Sequence, residues 1–498
     1  RPAPVWPISP TMNSTYVNAL IDEDLLCERH ERTSDIQFSP AMNTMLLAGW
    51  LVVCAIGFGV ILLVDNALAG VAIIAIPTLV GMVIKPTFAL SVVMLALPTG
   101  AGVGYQGAFS LDRGMGLALA TSFFLNVLLT RPSLRVRHKA LWFAAGLTVW
   151  IGISSLTQPQ LKMELGRAFT HFQLLVLALI VYWILETNPE NGFRWALRSY
   201  VLGMVGSIVL AIKSGQAIRA VQETRDARYA ATLGQAIDAN MLSALIALAF
   251  LSAIYLFARD RSLFWRAVYF VALLFLPWMM MRTGSRGGLV ALAFTLLSPL
   301  LFIRQVLSRP ALTALMLVVV ILASASVGLL IRRQGIESSV LHRLTDVGRA
   351  KNALEFRMVP IRNAVDTVLT WPLGAGYWSW FERSGSQIWP HNDFFFSLGV
   401  YGLPAAILFA GLVILLVTTV WRTPLTVEKL YARAVLTFLL VMGLNIKQVS
   451  AKYYWVFLAF ILAAERIAWW YAPAPEEEAI EVSESEQFQG RGPTPNGW

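Results

Sequence analysis

The chain has 498 residues, 57% of them hydrophobic and 14% charged, with mean hydropathy +0.63 and net charge +10. Ordinary soluble proteins carry about 25% charged residues, so this composition cannot coat globular cores with water-facing surface. It excludes a soluble enzyme, a disordered chain and a nucleic-acid-binding protein, and it leaves a polytopic membrane protein of the all-α class.

Residues 1–42 are polar and mixed in charge, and they read as a cytoplasmic extension without a signal-peptide pattern. Cys27 and Cys54 lie far apart, and Cys54 falls inside an apolar run, so no disulfide framework is expected. A helix needs about 20 apolar residues to cross the hydrocarbon. Runs approaching that length occur near 44–64, 67–84, 88–106, 114–130, 140–157, 168–186, 199–213, 240–258, 263–281, 287–303, 311–331, 393–420, 433–447 and 453–471. The second and third meet at Lys85-Pro86, a broken or re-entrant pair, so the bundle is expected to have about 12–14 spans.

With the N-terminus inside, the connections on that side hold the larger share of Lys and Arg, among them Arg135, Arg137, Lys139, Arg194, Arg198, Arg259, Arg261 and Arg266. Basic residues favour the cytoplasmic side, which places both termini there. Residues 43–471 form the transmembrane domain. Residues 472–498, with Glu476, Glu477, Glu478, Glu481, Glu484 and Glu486 among Pro, Ser and Gly, read as an acidic disordered tail.

Residues 332–392 form the only long loop between spans, on the outer side in this topology. Such loops are uncommon unless functional. This one carries Arg332, Arg333, Arg343, Arg349, Arg357, Arg362, Arg383 and Lys351, a cationic surplus that runs against the orientation trend. Guanidinium forks suit phosphate; a solvated amphipathic helix at the headgroups is the plainer reading. After Trp371-Pro372-Leu373-Gly374-Ala375-Gly376 comes His391-Asn392-Asp393, directly before an apolar run. The imidazole there would serve as a general base, or else as a cap or interface residue.

Two more polar clusters fall on the same side. Arg282-Thr283-Gly284-Ser285-Arg286-Gly287-Gly288 is a tight turn whose free N–H groups at a helix start favour anions, unless Arg286 simply snorkels to headgroups. The 214–240 loop carries Arg219, Arg225 and Arg228 against Glu223, Asp226 and Asp238, a balance that suits a local salt-bridge cluster. Cations from three loops beside a histidine point to a polyanionic substrate, such as a lipid-linked pyrophosphate. There is no Cys/His metal cluster, no carboxylate pair for a nucleotide sugar and no ATP loop, so no metal or cofactor is expected.

Ser285-Arg286-Gly287, Arg357 with Trp371-Pro372-Leu373-Gly374-Ala375-Gly376 fourteen residues on, and His391-Asn392 with Gly399 and Gly402 together carry a resemblance to the O-antigen ligase and polymerase superfamily of bacterial membrane glycosyltransferases. It covers roughly residues 200–450. The resemblance implies an undecaprenyl-pyrophosphate-linked glycan donor, used at the periplasmic face of the inner membrane without metal or nucleotide. It implies that Arg286 and Arg357 grip the pyrophosphate, that His391 orients or deprotonates the acceptor hydroxyl, and that Arg228, Ser285, Asn392 and Arg362 help bind substrate. Where the family often has Trp four residues after the loop arginine, this chain has Ile361 after Pro360, and a local helix break is expected.

The acceptor would be another lipid-linked repeat, for a polymerase, or the lipid A core, for a ligase; the reading leans to polymerase. Other expected partners are membrane lipids and other polysaccharide-assembly proteins, with no nucleic acid. The alternative from another class is a transporter or flippase, which would place ionisable groups near the membrane midplane.

Overall fold

The computed structural model describes residues 52, 56, 67–100, 111–130, 136, 138–213, 218–220, 227–229, 231–232, 235–236, 238–298 and 347–470. For 67–72, 99–100, 111–113, the strand residues, 347–354 and 356 it describes the backbone alone. The expected extension 1–42, the runs 44–64 and 311–331, the loop start 332–346, both cysteines and the acidic tail 472–498 lie outside the described residues.

The architecture is an all-α polytopic bundle. In chain order the described helices are α1 (Ala67–Ile84), α2 (Pro86–Gly100), α3 (Leu111–Thr130), α4 (Lys139–Leu156), α5 (Leu161–Thr187), α6 (Asn191–Lys213), α7 (Ala239–Arg259), α8 (Leu263–Arg282) and α9 (Arg286–Leu297). They continue with α10 (Val347–Thr370), α11 (Trp380–Ser384), α12 (Asp393–Tyr401), α13 (Leu403–Arg422), α14 (Val427–Gly443) and α15 (Lys452–Trp470). Between α6 and α7 lie two small antiparallel ribbons, β1 (Ile218–Ala220) with β2 (Ala227–Tyr229), and β3 (Ala231–Thr232) with β4 (Gln235–Ala236).

Among the described residues, six helices are long and apolar enough to cross a membrane: α4, α5, α6, α7, α8 and α13. Helices suit this setting because every backbone polar group in the span is satisfied within the segment. Shorter apolar stretches occur in α1, α2, α3 and α9. The expected break at Lys85-Pro86 is present: α1 stops at Ile84 and Pro86 opens α2, the position where its missing N–H does least harm.

Two helices form the centre. Helix α7 is apolar nearly all round and buried along most of its length, and every residue from Tyr453 to Ala464 of α15 is buried. The periphery is the reverse, with Trp142, Val149, Phe264, Ile407 and Ile414 exposed on outward faces, as a lipid-facing surface requires. Helices α2 and α6 pack closely at Gly203, where an added Cβ would stand 2.0 Å from the Leu95 carbonyl oxygen. Small residues at such crossings let backbones meet.

The structure alters two local expectations. Helix α10 runs unbroken through Pro360, which is buried inside it. The run 393–420 is two helices, α12 and α13, divided at Gly402, whose φ is +86°.

Candidate functional site

The Trp-Pro-Leu-Gly-Ala-Gly segment after α10 builds the floor of the site. The N–H groups of Ala375 and Gly376 donate to the carbonyls of Gly399 and Val400 (3.0 and 2.9 Å), and Trp150 Nε1 donates to the Tyr401 carbonyl (2.8 Å). The last carbonyls of α12, which lack helical partners, are thereby satisfied. In return, Leu403 N–H donates to Pro372 O at 3.0 Å. Gly374 is required at this clasp: its φ is +104°, and a Cβ there would lie 2.4 Å from Val400 O. The glycines of this segment thus work as a backbone joint that fixes α12.

Helix α12 presents the His391-Asn392-Asp393 sequence at its N-terminus. Asn392 is the N-cap, its Oδ1 accepting from the N–H groups of Phe394 (2.9 Å) and Phe395 (3.2 Å). Asp393 is buried, and its Oδ1 accepts from the N–H groups of Gln448 (2.6 Å) and Val449 (2.9 Å) in the loop between α14 and α15. His391 is half-buried and makes no hydrogen bond with any described residue. Burial and the nearby positive charges of Arg357 and Lys447 hold its imidazole below the ordinary value of 6.5, with Asp238 opposing.

The same α14–α15 loop carries the partner of Arg357. Arg357 Nη1, from α10, donates to Asn445 Oδ1 at 2.9 Å. Asn445 is itself tied to the end of α14 through Nδ2 to Val441 O (3.2 Å). Burial lowers the guanidinium's pKa, while the Asp238 carboxylate acts the other way; arginine stays charged regardless.

Ser285-Arg286-Gly287 meets this group from a third direction. Ser285 caps α9, accepting from Gly288 N–H (3.1 Å), and donates to Asn240 Oδ1 (2.7 Å) at the start of α7. Asp238 caps α7, accepting from the N–H groups of Asn240 and Met241. Gly287 lies against Asn445, with an added Cβ only 3.0 Å from the Asn445 Cγ. Arg286, between these two contacts, makes no hydrogen bond or ion pair with a described residue.

The structure therefore brings Arg286, Arg357 and His391 to one end of the bundle, around Asn445, Lys447 and Asp238. It gives Ser285 and Asn392 capping work instead: their oxygens are engaged by backbone N–H groups. Arg362 is exposed on α10. It follows Arg357 by five positions, which at 3.6 residues per turn puts it well round the helix from Arg357. Arg228 sits in β2 opposite Arg219 of β1, and its side chain lies outside the described residues, as does the expected salt-bridge cluster of that loop. Sequence reasoning missed Asn445 as the residue that holds Arg357. Its signal was present: Asn445, Lys447 and Gln448 are a polar run between two apolar segments. No group of three or more His, Cys, Asp or Glu that could hold a metal ion occurs among the described residues.

A recess of about 490 Å³ lies at the far end of α7, lined by Glu190, Arg194, Arg259, Asp260, Arg261 and Ser262. At 1.5 Å per residue it is about 30 Å along the helix from Asp238. Its charges are largely matched: Arg194 with Glu190, Arg259 with Glu428 (3.3 Å), and Asp260 with Arg198 (2.5 Å). Some of the basic residues expected to set the orientation, Arg194, Arg198 and Arg259, thus form structural ion pairs.

The fold defines a class, the polytopic α-helical membrane proteins, with a cationic cluster and a histidine gathered at one end. Comparison with protein-family models finds no match, and comparison with curated proteins finds no similar sequence.

Proposed function

We propose that the chain is a membrane glycosyltransferase of bacterial surface-polysaccharide synthesis, acting at the periplasmic face of the inner membrane on an undecaprenyl-pyrophosphate-linked glycan. The observation that carries this reading is the convergence of Arg357, Arg286 and a half-buried His391, which has no hydrogen bond with a described residue, on Asn445 and its loop. Arg357 donates to a neutral amide and forms no ion pair with a described residue, although Asp238 is near, so its charge remains available to an anion. Arg286 stands at the first turn of α9, where N–H groups without helical acceptors also favour anions.

In this reading the acceptor hydroxyl loses its proton to neutral His391 as its oxygen bonds to the anomeric carbon. The bond from that carbon to the pyrophosphate oxygen breaks, and Arg286 and Arg357 stabilise the charge growing on the leaving group. The lowered pKa keeps His391 neutral and ready at pH 7. The resemblance described above agrees with these roles. We favour a polymerase, with a lipid-linked repeat as acceptor, over a ligase that uses the lipid A core.

The test is replacement of Arg286, Arg357 or His391 by Ala in a complemented deletion strain, with surface glycans read by gel and the protein read by membrane blot. Loss of long glycan with normal insertion is expected. Wild-type glycan from all three variants refutes the assignment. In the deletion strain, single repeats on lipid A mark a polymerase, long chains left on undecaprenyl pyrophosphate mark a ligase, and repeats trapped inside mark a flippase.

A further inference from the structure

Beside His391, Lys447 is paired with a second cation, Arg167, and neither touches the reacting groups in the mechanism above. Trp389 stacks on Tyr377, with ring centroids 4.2 Å apart and planes 25° from parallel. The Arg167 guanidinium carbon, from α5, is also 4.2 Å from the Tyr377 centroid. The indole and the guanidinium cannot share one face of the ring, so Tyr377 is sandwiched between them. Lys447 Nζ lies 4.4 Å from the Trp389 centroid, 4.9 Å from Tyr377 and 5.0 Å from Phe396, and it donates to the Tyr377 hydroxyl at 3.2 Å.

Both cations are thus held by aromatic faces. Neither forms an ion pair with a described residue, and Arg167 Nε is buried without a hydrogen-bond partner. Glu164, one turn before Arg167, is buried and accepts the Trp378 N–H at 2.7 Å. Arg167 also donates a hydrogen bond to the Tyr401 hydroxyl. Burial and the Arg167 charge pull the Lys447 ammonium down to about 7, and an anion placed between the two groups relieves their repulsion. Trp378 and Phe381 continue the aromatic surface with their side chains partly exposed. With both faces of Tyr377 covered, the exposed rings of Trp378 and Phe381 offer the stacking surface for the C–H face of a sugar, and the cations beside them would read a charge on that ring.

We propose that Arg167 and Lys447, set around Tyr377 and Trp389, form a subsite for an acidic sugar of the glycan, one bearing a carboxylate or a phosphate. The subsite deepens the function proposed above and rests on it for the source of the glycan. It is separate from the pyrophosphate grip of Arg286 and Arg357.

The test uses purified full-length protein in detergent, with binding followed by calorimetry. Probes are a glucuronate-containing tetrasaccharide, the neutral cellotetraose, glucose 6-phosphate and inorganic pyrophosphate. The acidic tetrasaccharide, glucose 6-phosphate or both should bind at least about tenfold more tightly than cellotetraose, and which of them does so names the charge. Arg167→Gln and Lys447→Gln should each weaken that binding about tenfold, the scale of one hydrogen bond to a charged group. Arg167→Gln should keep wild-type affinity for pyrophosphate, and both variants should keep the wild-type thermal midpoint in detergent, which shows that they are folded. Arg357→Gln should do the opposite, losing pyrophosphate and keeping the acidic sugar.

Equal affinity for acidic and neutral oligosaccharides overturns the proposal, as does indifference of acidic-sugar binding to both Gln variants. Competitive displacement of the acidic sugar by pyrophosphate also overturns it, because it means one anion site. If the acidic sugar binds as expected but no lipid-linked donor is turned over, the subsite stands and the glycosyl-transfer reading falls.

Discussion

Replacing Asn445 by Ala isolates the contact that positions Arg357. The side chain supplies the acceptor for Arg357 Nη1 at 2.9 Å and is itself braced on Val441 O. A hydrogen bond to a charged group contributes about 1.5–3 kcal/mol. At about 1.4 kcal/mol per factor of ten, losing all of that positioning would lower kcat/KM by about 10- to 150-fold. The guanidinium itself remains, so the loss should be smaller than for Arg357→Ala, which removes the charge that stabilises the leaving group. Because both residues act through one contact, the Arg357→Ala/Asn445→Ala double variant should be no slower than Arg357→Ala alone. Asn445→Asp should be worse than Asn445→Ala, since a carboxylate at that distance neutralises Arg357. The assay is transfer from an undecaprenyl-pyrophosphate-linked glycan by reconstituted protein. A wild-type rate for Asn445→Ala, or additive losses in the double variant, would refute the reasoning.

The midpoint of the activity's acid limb should lie below pH 6.5, because burial, Arg357 and Lys447 keep His391 deprotonated further into acid than a free imidazole, against the opposing pull of Asp238. Arg357→Gln removes one of those positive neighbours, so its residual activity should lose its acid limb at a higher pH than wild type; a pH–rate profile checks both. Gly203→Ala should destabilise the bundle by about 1–3 kcal/mol or more through overpacking against the Leu95 carbonyl, and an unchanged thermal midpoint in detergent would contradict the α2–α6 contact.

The fold class was legible because a span must be apolar over about 20 residues, and composition alone reveals that. The break at Lys85-Pro86 was legible for a local reason as well, since proline lacks an N–H. The division of 393–420 was not, because Gly402 separates two helices inside one apolar run, and hydropathy does not register a positive φ. Nor was the continuity of α10 through Pro360, where packing outweighs proline's tendency to break a helix. Within the site, Arg286 and Arg357 stood out because the expected topology put them on the side that basic residues avoid, and His391 because it directly precedes an apolar run. Asn445 did not, because an uncharged amide carries no such signature, and Arg167 was one of several outer-side cations with nothing in its own segment to single it out. Their significance lies in contacts between segments more than 80 residues apart, Arg357 with Asn445 and Arg167 with Tyr377.

The loop between α14 and α15 explains why three consecutive residues at the mouth of α12 differ in chemistry. Asp393 holds that loop by two backbone N–H groups, Asn392 closes the helix end, and His391 makes no hydrogen bond with a described residue. Once Asp393 fixes Gln448 and Val449, Asn445 and Lys447 stand within four residues of a rigid anchor, and each reaches a different partner: Arg357 on one side, Tyr377 on the other. Two buried N–H groups left unsatisfied would cost about 1–3 kcal/mol each, so the carboxylate ties the loop's position to the fold itself. The site is therefore assembled from distant segments by a polar contact that carries no substrate. Its geometry depends on Asp393, although the chemistry is assigned to the residue two positions before it.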